Sequence, residues 1–257
     1  MKAMRIAYGN HPSEFMDVYG TYDDPKTQPL VALYHGGFWK DEYSLELMVA
    51  MAENLAENGC LVANIEYPRV QPDNHGPAVM SMLSSVYTSY DMLAEQMPHR
   101  HRVVSGHSAG GYYALMLATR ASKAAPSLVI AHAPVTDLWF GQEKRLSDKG
   151  DAIERFVNAG TDLTADRALY DALSPARQDK VRCPVHIIHG HIDKDVPLEH
   201  SAPFLDRFAN NAQPIFLHDA EWIEPDKKID FGHYEVIGPD QDTFVLRKQR
   251  ELILAMR

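Results

Sequence analysis

The chain predicts an α/β fold, a mostly parallel central sheet flanked by helices on both faces. Three observations carry this prediction. Short apolar runs alternate with longer helix-patterned stretches from residue 30 onward, the rhythm of repeated strand–helix units. Most of those short runs are continuously apolar rather than alternating, as strands covered on both sides must be. One of them, residues 102–105, passes through Gly106-His107-Ser108-Ala109-Gly110 into a helix-like run at 112–119, which leaves room for a single sharp turn.

In chain order, residues 5–8 and 15–19 predict an antiparallel edge, and 30–34 the first strand of the parallel set. A helix is expected over 44–58, with Leu45, Met48, Ala52, Leu55 and Ala56 on one face and Glu46, Glu53 and Glu57 on another. Gly59 is placed to cap it. Residues 61–65 form the next strand and 78–97 the next helix, which Pro98 stops. Strand 128–131 follows the 112–119 helix. Residues 134–182 then break the rhythm. They hold aromatic and charged stretches, helix-like at 151–158 and 166–172, with no clear strand. In open α/β sheets ligands bind at the carboxyl edge of the strands, so this insertion is expected to cap that edge and shape a pocket. Strands at 185–189 and 215–217 and helices at 203–210 and 243–256 complete the set. No repeat, low-complexity tract or linker divides the chain, so 1–257 reads as one domain.

Bulk properties bound the function. A chain of 257 residues suits a single α/β domain, since such domains often run to roughly 250 residues, and 45% hydrophobic residues supply its core. The net charge of −10 argues against nucleic acid, whose phosphates demand a basic face, and against an anionic membrane surface. Residues 1–6 have no apolar stretch or cleavage site, so no secretory leader is expected, and no run approaches the roughly 20 apolar residues of a membrane span. Cys60 and Cys183 each open a predicted strand. Buried thiols in a cytoplasmic protein are the expectation, rather than a disulfide. Monomer and homodimer both stay open.

The segment 106–110 is a G-x-S-x-G sequence between strand and helix. Glycines around the serine permit a tight turn, and the helix that starts behind it aims free N–H groups at any developing negative charge. This resembles the nucleophile elbow of the α/β-hydrolase family. The resemblance implies a chain order of serine, acid, histidine, with Ser108 as nucleophile. After strand 185–189, Gly190-His191-Ile192-Asp193-Lys194-Asp195-Val196-Pro197 is similar to the family's G-x-x-D-x-x-V-P loop, which makes Asp193 the acid and Asp195 its competitor. Phe231-Gly232-His233-Tyr234-Glu235-Val236-Ile237 resembles the family's histidine loop, which makes His233 the base and His218 the alternative. His35 and His107 belong to motifs in which the histidine supports backbone geometry. His186, His189 and His191 lack a recognised zinc spacing, so no metal is expected.

The run Tyr34-His35-Gly36-Gly37-Phe38-Trp39 after the first parallel strand resembles the H-G-G-x-W motif of kynurenine formamidases and related small esterases. It implies an oxyanion hole made by the N–H groups of Gly37, Phe38 and Ala109. Val135-Thr136-Asp137-Leu138 and Leu173-Ser174-Pro175 look like further segments of that group, so the resemblance runs from Leu30 to about Ile237. Phe38 stands where tyrosine is commoner, and Pro134 where a small residue is usual. Trp39, Tyr67, Trp139 and Phe140, with Phe38, are expected to wall the substrate pocket. Arg69 has two readings, an ion pair or a partner for a substrate carboxylate. The resemblance implies a cofactor-free serine hydrolase cleaving a small-molecule carboxylic ester, or, as the alternative, an arylformamidase acting on N-formylkynurenine. A hydrolase-fold binding protein without turnover is the third reading.

Overall fold

The computed structural model describes residues 3–72, 76–122, 124–161, 164–218, 221–224, 227–238 and 243–256. Its strands are β1 (Met4–Ala7), β2 (Phe15–Tyr19), β3 (Leu30–Tyr34), β4 (Leu61–Ile65), β5 (Arg102–His107), β6 (Leu128–His132), β7 (Val185–Gly190) and β8 (Ala212–Leu217), with a separate hairpin of β9 (Glu221–Glu224) and β10 (Lys227–Ile229). The helices are α1 (Val49–Glu57), α2 (Val79–Gln96), α3 (Ala109–Thr119), α4 (Leu138–Glu143), α5 (Ala152–Val157), α6 (Arg167–Leu173), α7 (Ala202–Arg207) and α8 (Phe244–Leu254).

The first eight strands form one sheet in the order β1-β2-β4-β3-β5-β6-β7-β8. β2 runs antiparallel to both β1 and β4, and every pairing from β4 to β8 is parallel. The α/β class and the antiparallel edge are therefore as the sequence predicts. Alternation along β3 divides the core. Leu30, Ala32 and Tyr34 face the layer that includes Met82, Val86 and Leu115, whereas Val31 and Leu33 face Met51, Leu55 and Ile253. Each such fully buried aliphatic side chain contributes roughly 1.5–3 kcal/mol. β8, at the sheet's edge, is instead largely exposed along its middle.

The expected 44–58 helix begins as a 3-10 turn over Leu45–Met48, where Ser44 Oγ accepts from Glu46 N–H, and continues as α1. Gly59 closes it at φ 88°. All eleven residues of α3 are buried, since this helix lies beneath the insertion as well as on the sheet.

The insertion holds α4, α5 and α6 and no strand among its described residues. Side chains from its two ends tie it down. Asp137 caps α4 by accepting from Phe140 N–H at 3.0 Å, and its other oxygen lies 2.7 Å from Arg177. Ser174 Oγ accepts from Leu138 N–H at 2.8 Å and donates to Tyr170 O at 2.7 Å. The two short motifs singled out in the sequence are thus one clamp. Cys60 and Cys183 are both buried.

Candidate active site

β3, β5, β7 and the segment after β10 deliver the predicted groups to one edge of the sheet. At the end of β5 Ser108 has φ 54° and ψ −115°, a left-handed conformation that the turn from strand to helix imposes. Close approach explains the neighbouring glycine: a Cβ on Gly110 would stand 2.0 Å from Tyr34 O and 2.4 Å from His35 O. Backbone from β3 therefore lies directly against the start of α3. Gly36 likewise sits so near Ser108 that its own Cβ would fall 3.0 Å from Ser108 Cβ.

His233 Nδ1 and Asp193 Oδ2 are 2.7 Å apart, both groups buried. Asp193 Oδ1 accepts from the N–H groups of Asp195 at 3.0 Å and Val196 at 2.9 Å. Burial by itself pushes the Asp193 carboxyl up. Hydrogen bonds from His189 and His233, the charge of His233 and the Val196 N–H outweigh it, holding the group well below the usual carboxylate range. Asp195, the competing acid, enters this arrangement through its backbone N–H. His218, the competing base, lies exposed after β8 with its ring 5.4 Å from that of His191.

The histidine loop is pinned beside the elbow. His107 Nε2 lies 2.8 Å from the carbonyl of His233, and the two rings are 4.6 Å apart. Ser108 Oγ is buried and makes no hydrogen bond, to His233 or to any other described group. Bonds of this kind are often long in a free enzyme and tighten when substrate docks.

The loop expected to form the oxyanion hole continues from β3 with three successive left-handed residues, Gly37 at φ 110°, Phe38 at 50° and Trp39 at 57°. Among the described residues, no acceptor takes the N–H of Gly37, Phe38 or Ala109. Phe38 is half-buried and its ring stacks at 6.5 Å over that of His233. Trp39 and Tyr67 are placed otherwise than as open pocket walls. Trp39 is fully buried, stacked on Phe156 at 4.1 Å, and Tyr67 is fully buried, stacked on His35 at 4.3 Å. Trp139 and Phe140 are half-buried on α4, against Tyr170 and His200 respectively. A polar cleft of about 220 Å³ runs between residues 144–148 of the insertion and Lys194, Asp195 and Pro197 of the acid loop.

The sequence reading weighed His189 only as a metal ligand and passed over Glu66. His189 closes the far side of the acid loop, with Nε2 2.8 Å from Val196 O and 3.3 Å from Asp193 Oδ2 and Nδ1 2.7 Å from Ser201 Oγ. Glu66 is buried and pairs with both His35 and Arg69. A charged residue directly after an apolar strand, at the ligand-binding edge, is the signal that could have found it.

The sheet order and the strand–turn–helix at Ser108 are those of the α/β-hydrolase superfamily, and the solved structures the chain matches agree. Within it the chain belongs to the BD-FAE family, whose model matches residues 16–208. Esterase LipC of Mycobacterium tuberculosis is 23% identical over 218 residues, covering 79% of this chain and 54% of LipC. The kynurenine formamidase of Danio rerio is 30% identical over 122 residues, 44% of this chain and 38% of the formamidase. The chain thus spans little more than half of one relative and less than half of the other. A truncated carbohydrate esterase from gut microbiota has a TM-score of 0.73 at 13% identity, over 98% of this chain and 94% of that one. The family is esterase-like and hydrolytic. No helix among the described residues is long and apolar enough to cross a membrane.

Proposed function

We propose that the protein is a serine hydrolase of small carboxylic esters that works through an acyl-enzyme on Ser108. The observation that carries this reading is the 2.7 Å His233–Asp193 bond, held next to a left-handed serine and a loop of uncommitted N–H groups. As Ser108 Oγ attacks the carbonyl carbon, His233 Nε2 takes its proton. Asp193 keeps the other proton on Nδ1 and stabilises the imidazolium. The oxyanion rests on the N–H groups of Gly37, Phe38 and Ala109. Collapse expels the alcohol, which leaves with the proton from His233. Water then repeats the sequence, releases the acid and returns the serine. Every proton is accounted for by these groups without a metal or a cofactor.

Phe38, Trp139 and Phe140 give the site an aromatic rim that suits a modest aromatic or acyl group. A small molecule is accordingly the partner in this reading, and two buried cysteines fit a reducing cytoplasm. The 30% identity to a kynurenine formamidase favours a second substrate, an aryl formamide such as N-formylkynurenine, for the same machinery.

The test is turnover of p-nitrophenyl acetate and of N-formylkynurenine by the purified protein and by Ser108→Ala. Ester hydrolysis lost in Ser108→Ala with the circular dichroism unchanged is the expected outcome. Turnover retained in that variant removes Ser108 from the mechanism. Ligand binding without labelling by a fluorophosphonate makes the protein a receptor instead.

A further inference from the structure

Beneath the oxyanion loop lies a buried ionic group that this mechanism leaves unused. His35 has no exposed surface, and both of its ring nitrogens face oxygen: Nδ1 is 2.7 Å from Gly36 O, and Nε2 is 3.0 Å from Glu66 Oε1. The carbonyl can only accept. The Glu66 carboxylate is itself surrounded by donors, the N–H groups of Leu45 and Tyr67 at 3.0 Å each and the guanidinium of Arg69. Burial pushes the Glu66 carboxyl up, but His35, Arg69 and Leu45 N–H together hold it below its ordinary value. A neutral imidazole would have to turn a lone pair toward one of these two nearer acceptors, with Arg69 Nη1 and the Tyr67 hydroxyl, each 3.5 Å away, as the donors within reach. Arg69 Nη1 converges on the same Glu66 oxygen, 3.5 Å from His35 Nε2, so guanidinium and imidazole share one carboxylate. The ring of Tyr67 lies flat on the imidazole, 4.3 Å away and tilted by 11°, a π face that favours a cation.

The contact with Gly36 bears on the oxyanion hole through one peptide unit. The C=O of Gly36 and the N–H of Gly37 belong to the same trans peptide plane and point in opposite directions. A donor that holds Gly36 O therefore turns Gly37 N–H the other way. Neither glycine has a side chain to resist rotation of that plane, so the restraint has to come from outside it.

We propose that Glu66, shared with Arg69, keeps a proton on each ring nitrogen of His35, and that His35 thereby locks the Gly36–Gly37 peptide with Gly37 N–H presented to the oxyanion. Glu66 and His35 are positioning residues, since they act through the loop and not on substrate. The inference rests on the assignment of Gly37 as an oxyanion donor.

Glu66→Gln keeps the shape and an acceptor for Nε2–H but removes the charge that holds the second proton. With p-nitrophenyl acetate, kcat is expected to fall by about 10²-fold, the scale of one lost oxyanion donor. KM should change little, because the same donors serve acylation and deacylation. Independently, the ¹⁵N spectrum of histidine-labelled wild-type protein, assigned by through-bond correlation to the His35 backbone, should show both ring nitrogens protonated. One bare nitrogen in that spectrum, or an unchanged kcat in folded Glu66→Gln, overturns the proposal. If Glu66→Gln does not fold, the wild-type spectrum decides alone. If the wild type hydrolyses no ester, the functional reading fails, and that spectrum still reports on the His35 protons.

Discussion

Ser108 holds a backbone conformation that costs a non-glycine residue on the order of 1–3 kcal/mol, and close packing of β3 against the elbow sustains it. At Ser108 that strain is legible in the sequence, because a G-x-S-x-G run between strand and helix is the signature of such a turn. The proposed acid and base were legible for a different reason: the chain order that the resemblance implies singles out one loop after β7 and one between the strand expected at 215–217 and the last helix. His189 was not legible as a support for Asp193, since it acts through contacts that no spacing rule encodes, while Glu66 was signalled only by its charge directly after an apolar strand. For Asp193 the consequence is specific. Its carboxylate accepts from His233 Nδ1 at 2.7 Å, while two backbone N–H groups and His189 hold it in place. Asp193→Asn preserves that shape but offers His233 an amide that can donate, favouring the tautomer with its proton on Nε2, which cannot accept from serine. By analogy with other Ser-His-Asp triads, kcat for p-nitrophenyl acetate should drop by about 10⁴-fold. A loss below tenfold in steady-state assays would mean that another carboxylate, Asp195 first, takes over.

Among elements, the insertion and the loop after β3, the proposed oxyanion loop, are one packed unit. Phe156 on α5 stacks on Trp39 at 4.1 Å and meets Tyr112 of α3 edge-on at 5.5 Å, while Arg155 donates to Gln71 O at 2.9 Å. The sequence suggested α5 and α6 from their patterning, but it set Trp39 on a pocket wall. An aromatic after two glycines reads as exposed until the element that covers it is known, and that element lies more than a hundred residues later. The β9–β10 hairpin was missed because its strands are three and four residues long and mix charged with apolar residues. The packed unit predicts a coupled defect. Phe156→Ala removes a fully buried ring and should cost about 3–5 kcal/mol, read from the urea midpoint. Because Trp39 follows Phe38 directly, the variant should also lose kcat at temperatures where it remains folded. Destabilisation with unaltered kcat would show that the loop is held without α5.

For the whole molecule, the sheet was foreseeable from apolar runs alone, whereas the set of histidines sealed inside it was not. His132 ends β6 paired in register with His107 on β5, and it is wholly buried, facing Val236 and Gln249. Burial pushes its pKa down to about 4. His200 is pushed to about 4, again chiefly by burial, and His107 well below 6.5 by burial and the neighbouring His233. For each, the folded chain binds a proton more weakly than the unfolded chain, whose histidines titrate near 6.5. Between pH 6.5 and 4 the unfolded state therefore takes up protons that the folded state refuses. Stability that is complete above 6.5 is lost across that window, by up to about 3 kcal/mol for a group displaced this far. Asp193 adds a separate loss at lower pH, because its carboxyl stays ionised in the fold below the ordinary carboxylate range. Thermal unfolding followed at half-unit steps from pH 7.5 to 4 should show Tm flat at first and then falling steadily below about 6.5. His132→Gln, which cannot take up the proton in either state, should start less stable at pH 7.5 and fall with a shallower slope. Equal slopes in the two proteins would mean that His132 is protonated in the fold, with a partner for its charge that opens only in acid.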